Sequence, residues 1–454
     1  MSLLTTIAAF LVTLGILIVI HELGHYWVAR KCGVKVLRFS IGFGRPLARW
    51  VRGTDRTEWV LAAIPLGGYV RMLDERDTDN GPVNSADLPR AFNRQPVGKR
   101  IAIVLAGPVA NLLLAILVYW GLNVAGVMEP RAVLGPPTAE TPAALAGLRT
   151  GDEVLTVDDE PVRSWNDVNW QVLQHAVDRS AVELDVRGAD GVTRQVRLDL
   201  SRLTAQDLEG NPLPKIGLTL WGGPPRIGRI SEGSAAARAG LMSGDRVLEV
   251  GRTPIVSARD LIERIRASAE QPLDLLIERD GRQLMLTATP ARVRDESAQG
   301  GGREIGRLGA ELGDRPELVR VHHGPIESIG LAVSKTWEMT VFSLKMLGKM
   351  ITGEASWKNL SGPVTIADYA GKTATIGLAA YLSFLALVSI SLGVLNLLPI
   401  PMLDGGHLVY YLVEIIKGSP PADWIVEWGQ RAGIGVLVLL TALALYNDLT
   451  RLLS

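Results

Sequence analysis

The segment that decides the fold is LLTTIAAFLVTLGILIVIHELGHYWV, residues 3–28. Its first 18 residues carry no charge, and about 20 apolar residues are enough for a helix to cross the hydrocarbon core of a bilayer. No Lys or Arg precedes the run, which argues against a cleaved signal peptide. Beyond this run come His21, Glu22 and His25. Ionisable side chains at membrane depth are costly and by default functional, so we expect a site here.

Composition limits the classes of protein to which the chain can belong. The 454 residues are 47% hydrophobic, and Lys plus Arg equal Asp plus Glu at 47 each. A neutral chain gives no reason to expect a nucleic-acid partner. Cys32 is the only cysteine, so the sequence holds neither a disulfide framework nor a cysteine-built zinc site.

Three further uncharged stretches predict membrane spans, namely Ile101–Met128, Thr373–Leu403 and the shorter Ala432–Asn447. Residues 30–100 contain 14 Lys and Arg, with clusters beside the ends of the first two spans. Such clusters mark cytoplasmic segments. The two chain termini and residues 129–372 are therefore predicted to lie on the opposite, non-cytoplasmic side of the membrane. The predicted spans are 1–30, 101–128, 373–404 and 431–450, and the predicted cytoplasmic segments are 31–100 and 405–430.

The large external segment contains an internal repeat. Residues 146–155, AGLRTGDEVL, recur as residues 239–248, AGLMSGDRVL, at an offset of 93 residues. That offset is too long for a solenoid and suits two tandem small domains. Each domain is predicted to contain a Gly-Asp turn, several strands and one helix, at 166–177 or 258–268. The pattern resembles PDZ domains, in which a bound peptide adds as a strand at a sheet edge.

The predicted fold class is therefore an α-helical multi-span membrane protein with two inserted PDZ-like α+β domains, at 129–221 and 222–316. Residues 325–372 follow, and within them Ile326–Ile351 has apolar residues at helical period. This helix also carries several Lys and Glu residues, too many for a comfortable span. We expect it to lie along the outer membrane surface or against the spans.

His21 and His25 are four residues apart, so a helix places them on one face, one turn apart. That spacing lets two imidazoles bind one zinc ion while Glu22 accepts a proton from the attacking water. The alternative is a polar patch that only forms hydrogen bonds inside the helix bundle, which the cost of ionisable groups at this depth disfavours. A catalytic zinc has three protein ligands and one open position. A third ligand must therefore come from elsewhere in the chain.

Two candidates for the third ligand lie at or just beyond the end of the third span. Asp404 belongs to the segment NLLPIPMLDGG, residues 396–406, and His407 lies three residues beyond Asp404. Spans one and three run in the same direction under the predicted topology, so both candidates would reach the cytoplasmic end of the first span. Pro399 and Pro401 break the helix there and free backbone groups, as a site open to water and substrate requires.

These motifs resemble those of the site-2 protease family of intramembrane zinc metalloproteases, and in particular its bacterial branch with two PDZ domains. The resemblance covers nearly the whole chain, in the family's order. Besides HELGH at 21–25 and NLLPIPMLDGG at 396–406, it rests on FSIGFG at 39–44, PLGGYV at 65–70, GPVAN at 107–111 and SGPVTIA at 361–367.

The resemblance implies one zinc ion per chain, bound by His21, His25 and Asp404. It implies that Glu22 is the catalytic glutamate and that Asn396 holds substrate near the metal. It also implies that the loop carrying Gly42-Phe43-Gly44 re-enters the membrane as a β-hairpin that pairs with unfolded substrate. For Asn111 it leaves a structural and a substrate-supporting role open.

The activity implied by the resemblance is the second cut in regulated intramembrane proteolysis, at the bacterial inner membrane. The implied substrates are single-pass membrane proteins already trimmed by another protease, namely an anti-sigma factor (RseA-like) of the sigma-E envelope stress response, and signal-peptide remnants. Besides the lipid bilayer, the implied partners are the substrates' periplasmic tails, which the PDZ-like domains would bind or screen. A membrane-anchored scaffold and a metal transporter are alternative classes, and the intact HELGH motif argues against both.

Overall fold

The computed structural model describes residues 3–76, 84–188, 190–295, 303–313 and 316–453. The chain forms two compact units, one of residues 1–127 with 322–454 and the other of residues 128–321. The first unit begins with two long helices and two long strands, α1 (Leu3–Lys31), β1 (Val36–Arg52), β2 (Thr57–Met72) and α2 (Val97–Ala125). Single turns of 3-10 helix at Leu88–Arg90 and Phe92–Arg94 precede α2.

The small sheet of the first unit contains four paired segments because β1 and β2 each bend once. Residues 38–41 pair on one side with 58–61 and on the other with 68–71, while 48–52 pair with 57–61. The bends use glycines in the left-handed region, with φ of 89° at Gly42, 87° at Gly44 and 113° at Gly67. Residues 68–72 therefore form one edge of the sheet.

The second unit is built from short elements. Its strands are β3 (Val127–Pro130), β4 (Glu153–Val157), β5 (Glu160–Pro161), β6 (Val182–Arg187), β7 (Thr193–Leu198), β8 (Arg226–Ile230), β9 (Arg246–Val250), β10 (Thr253–Pro254), β11 (Leu273–Arg279), β12 (Arg282–Ala288), β13 (Ala291–Asp295), β14 (Arg303–Arg307), β15 (Ala310–Gly313) and β16 (Leu318–Val321). Its helices are α3 (Pro142–Leu145), α4 (Trp165–Asp178), α5 (Leu213–Ile216), α6 (Ala235–Arg238) and α7 (Ala258–Ala267). Helices α4 and α7 confirm the two predicted at 166–177 and 258–268.

Two hydrophobic cores divide this unit near the predicted boundary, one within residues 132–218 and the other within 227–308. A sheet of order β5-β4-β6-β7 belongs to the first, and a sheet of order β12-β11-β9-β8-β15, with β10 beside β9, belongs to the second. The repeated Gly-Asp turns are built alike. Asp152 accepts hydrogen bonds from the Arg149 N–H and from Arg194, and Asp245 is bound in the corresponding way. The PDZ assignment itself stays a prediction.

Helices complete the first unit, namely α8 (Pro325–Thr352), α9 (Pro363–Ile376), α10 (Leu378–Leu397), α11 (Asp404–Lys417) and α12 (Asp423–Leu453). Four helices of the described chain are long and apolar enough to cross a membrane, Leu3–Lys31, Val97–Ala125, Leu378–Leu397 and Asp423–Arg451. They agree with the four predicted spans, although the bounds shift. The third span differs most, because Gly377 separates α9 from α10 and the helix already ends at Leu397. Asp404 therefore begins a separate helix instead of ending the span.

The amphipathic helix α8 begins and ends within one residue of its predicted bounds. Apart from Met350, its buried side chains are small or hydroxylated and lie four residues apart, as at Ala332, Thr336 and Thr340, and Ala332 shares a core with residues of α2 and α10. Small residues allow such close helix packing in membranes. Most of its large apolar side chains are exposed, with Ile326 87% and Trp337 68% exposed. Helix α8 thus lies against the spans, the second of the two predicted positions.

Asp448 of α12 binds the N-terminus of α9, where the SGPVTIA stretch lies. Its carboxylate, 1% exposed, accepts hydrogen bonds from the backbone N–H groups of Gly362 at 3.0 Å, Val364 at 2.9 Å and Thr365 at 3.2 Å. The first N–H groups of a helix have no partner within it, and a carboxylate there also interacts favourably with the helix dipole. This contact joins the last helix to the rest of the bundle.

Candidate metal centre

Three side chains of the first unit converge on one point. The Nε2 atoms of His21 and His25 lie 3.2 Å apart, and they lie 3.3 and 3.5 Å, respectively, from Oδ2 of Asp404. Within the described residues this is the one group of three such side chains able to hold a metal ion. His407, the other candidate for a third ligand, is not part of the group.

Local structure explains how the three residues meet. Helix α1 is regular through residues 21–25, so His21 and His25 project from one face. Asp404 is the first residue of α11, and residues 398–403 form the turn that carries it back toward α1. Pro399 and Pro401 lack the N–H that would continue α10, which is why the helix gives way to a turn there.

The spacing of the three atoms fits a zinc ion. Zinc–ligand bonds of about 2.0–2.2 Å in a tetrahedral arrangement separate the ligand atoms by about 3.3–3.6 Å, and the observed separations are 3.2, 3.3 and 3.5 Å. Asp404 Oδ2 is also buried without a hydrogen-bond partner among the described residues. A buried carboxylate oxygen needs a compensating hydrogen-bond donor or cation. The three side chains therefore fit the zinc ion that the resemblance implies.

His25 is held in the form that binds metal through Nε2. Its Nδ1 lies 2.8 Å from the carbonyl oxygen of Ile103 on α2. A carbonyl can only accept, so Nδ1 carries the proton and Nε2 presents its lone pair toward Asp404. The geometry of α2 therefore selects the tautomer of a histidine on α1.

Asn111, from the GPVAN stretch, contacts the other histidine. It is fully buried, its amide nitrogen lies 3.3 Å from His21 Nδ1, and its amide oxygen is buried without a hydrogen-bond partner among the described residues. Rotation of the amide by 180° would let that oxygen accept a hydrogen bond from Nδ1–H of His21, so that the oxygen and Nδ1 would each have a partner. Asn111 thus contacts a candidate metal ligand, and which of its two alternative roles it has stays a prediction.

Three glycines allow the close packing around the motif. A Cβ atom built at Gly107 would lie 2.3 Å from His25 Nε2, and one at Gly24 would lie 2.2 Å from Ala106 O on α2. A Cβ atom at Gly68, on the edge segment of the small sheet, would lie 3.1 Å from Glu22 Cγ. Glu22 therefore lies between the ligand histidines in sequence and beside the sheet edge in space. The motifs HELGH, PLGGYV and GPVAN contain these glycines, but no local pattern in them predicts the contacts.

The remaining predicted residues lie in two places. Asn396 is near the end of α10 and half-buried, and its side-chain amide has no hydrogen-bond partner among the described residues. Phe43, 44% exposed, lies at the bend of β1 between Gly42 and Gly44, with its ring stacked on Tyr69 at 6.1 Å between centroids. The strand pairing predicted for this loop is present as part of the four-segment sheet, while its entry into the membrane and its pairing with substrate stay predictions.

Comparison with known proteins gives a consistent result over the whole chain. The model of peptidase family M50 matches residues 9–440. A Ralstonia nicotianae protein named "Putative zinc metalloprotease" is 49% identical over 457 residues, which cover 98% of each chain. The regulator of sigma-E protease RseP of Escherichia coli is 42% identical over 461 residues, and Protease RseP of Yersinia pestis is 41% identical over 464 residues, each covering all of both chains.

Proposed function

Because the chain belongs to peptidase family M50 and is a zinc metalloendopeptidase, we propose that it cleaves membrane-embedded segments of single-pass proteins at the centre formed by His21, His25 and Asp404. The observation that carries the proposal is the triangle of ligand atoms, whose edges match a tetrahedral zinc site and whose two histidines lie on a helix long and apolar enough to span a membrane. We propose one zinc ion per chain, since the described residues form one such triangle.

Each protein group has a distinct task in the proposed reaction. His21, His25 and Asp404 hold the zinc ion, which when bound polarises the scissile carbonyl and promotes deprotonation of the attacking water. Glu22 accepts that proton and passes it to the leaving nitrogen. Its side chain packs beside Gly68, which keeps the carboxylate next to the cluster. Asn111 orients His21, as Ile103 orients His25.

The substrate must unwind before it is cut, because the carbonyls of an intact helix are already hydrogen-bonded and shielded. We propose that the unwound strand pairs with residues 68–72, the sheet edge that passes Glu22, by strand addition. Asn396, whose amide is free among the described residues, would hold the same strand near the metal. Gly42-Phe43-Gly44 would shape the bend that supports this edge. Helix-breaking residues in a substrate should therefore increase its cleavage rate.

The Escherichia coli relative bears the name "Regulator of sigma-E protease RseP", and the proposed physiological role is of that kind. The proposed substrate is an anti-sigma factor (RseA-like) trimmed beforehand by another protease, and signal-peptide remnants form a second class. The protein would lie in the bacterial inner membrane with both termini periplasmic and the metal centre near the cytoplasmic side. The two repeats of the second unit would act as PDZ-like domains that screen the periplasmic tails of substrates.

Four full-length proteins test the proposal, the wild type and the variants Glu22→Gln, Asp404→Asn and His407→Gln. Zinc content and cleavage of a truncated single-span substrate are measured on each purified protein. We expect zinc in all except Asp404→Asn and no cleavage by Glu22→Gln. Cleavage by Glu22→Gln at the wild-type rate would refute the mechanism. Zinc kept by Asp404→Asn and lost by His407→Gln would reassign the third ligand.

A further inference from the structure

The turn that carries Asp404 to the histidines holds a strained residue. Met402 has φ of 92°, a region of backbone conformation that residues other than glycine rarely adopt because it is strained. Such a conformation persists only where the surroundings hold it in place. Met402 lies two residues before Asp404, so whatever holds the turn also sets the position of that carboxylate.

The inner side of the turn rests on the first residues of α11. A Cβ atom at Gly405 would lie 2.2 Å from Leu398 O, and one at Gly406 would lie 2.5 Å from Ile400 O. Both distances are far below van der Waals contact. The turn therefore folds over α11 so closely that only glycine fits beneath it.

The outer side of the turn is covered by α12. Gly429 and Gly433 are four residues apart and share a helix face. A Cβ atom at the buried Gly433 would lie 2.0 Å from Pro401 O and 2.8 Å from Pro401 C. A Cβ atom at Gly429 would lie 2.2 Å from the hydroxyl oxygen of Tyr410, on α11, and 3.6 Å from Pro401 Cγ. The turn is thus enclosed between two pairs of glycines, one on α11 and the other on α12.

We propose that Gly429 and Gly433 are positioning residues for Asp404. These two glycines form a shallow surface on α12, here called the seat, against which the Pro401 turn and Tyr410 pack. The seat holds the strained turn in the position where Asp404 Oδ2 lies beside the two histidines. The last helix thereby acts on the metal centre without touching it. The inference rests on the proposed ligand set, of which Asp404 is a member.

The two glycines differ in what a methyl group would displace. At Gly433 the obstacle is backbone, so Gly433→Ala must shift α12 or the turn. At Gly429 the obstacle is one hydroxyl, which is buried without a hydrogen-bond partner among the described residues. Removing it leaves Tyr410 Cζ at 3.5 Å as the nearest atom, an ordinary contact. Tyr410→Phe should therefore be neutral alone and should restore Gly429→Ala, while it cannot restore Gly433→Ala.

Zinc affinity of the full-length protein, measured by competition with a chelator, tests the seat together with cleavage and thermal unfolding. Gly435→Ala is the matched control, because nothing lies within 4 Å of a Cβ atom there. We expect Gly433→Ala to weaken zinc binding by about 10–100-fold, as supporting residues around metal ligands do when altered, and Gly435→Ala to bind as the wild type. Gly429→Ala should bind weakly and Gly429→Ala/Tyr410→Phe should recover.

Two results would overturn the inference. One is wild-type zinc affinity in Gly433→Ala, and the other is a loss in Gly429→Ala that Tyr410→Phe does not reduce. A lower unfolding temperature with unchanged zinc affinity would likewise assign the glycines to general packing alone. Asp404→Asn separates this inference from the proposed function: if that variant loses zinc while Gly433→Ala keeps it, only the seat is wrong. If Asp404→Asn binds zinc normally, the ligand set itself is wrong.

Discussion

Gly107→Ala should impair the metal centre more than any other addition of one methyl group to α2. The new carbon would lie 2.3 Å from His25 Nε2 and 2.7 Å from His21 Cε1, whereas carbon atoms rest about 3.5 Å or more from such neighbours. The histidines or α2 must therefore move by about 1 Å. The Ile103 contact holds His25 from one side, so the displacement falls largely on its metal-binding nitrogen.

A shift of that size is large compared with the tolerance of a zinc–nitrogen bond, about 0.2 Å. We expect zinc affinity to fall by at least 100-fold, about 2.7 kcal/mol, with cleavage falling in parallel at limiting zinc. Chelator competition on the full-length protein measures the first effect, and titration of cleavage with added zinc measures the second.

Gly121→Ala is the control for this prediction, since it lies on the same helix with nothing within 4 Å of the added carbon. It should bind zinc as the wild type and, by replacing glycine within a helix, should not lower stability. Zinc affinity of Gly107→Ala within threefold of the control would refute the reasoning, because the observed packing would then have to relax at almost no cost.

Two further predictions concern the orientation of His21 and the fold of the second unit. Asn111→Ala should weaken zinc binding by about 10–100-fold while Asn111→Asp, which keeps an acceptor, loses less; equal losses in a chelator titration would contradict the orienting role. Burial alone would raise the pKa of Asp245, but hydrogen bonds from Arg279 and the Met242 N–H hold it below its usual range. This contribution to the free energy of unfolding is present above about pH 4 and is lost as the pH falls through the lower pKa of the folded state. The amide exchange rate of residues 246–250, corrected for its intrinsic pH dependence, should therefore rise in that pH range. Asp245→Asn should remove this pH dependence, and an unchanged acid profile would exclude the effect.

The membrane spans, the pairing of the two histidines and the two repeats can be predicted from local sequence. The four spans are readable because hydrocarbon selects continuous apolar runs of fixed length, a property of neighbouring residues. The pairing of His21 with His25 follows from helical period alone. The repeat at 146–155 and 239–248 predicts two similar small domains, and two separate cores with matching helices are found.

The features that only the tertiary structure decided involve contacts between residues that are far apart in the sequence. Spacing could not choose between Asp404 and His407, because it is the turn through Met402 that brings Asp404, and not His407, to the two histidines. The helix break at Gly377 lies inside the uncharged run 373–403, which the sequence predicts as one continuous span.

The contacts of Gly107 with His25, of Gly68 with Glu22 and of Gly433 with Pro401 have no local sequence pattern. In each of them an atom of another element lies so close that an added Cβ atom would be crowded. Periodicity reports how a segment lies relative to its own axis, whereas the closeness of two elements is settled only when they pack together.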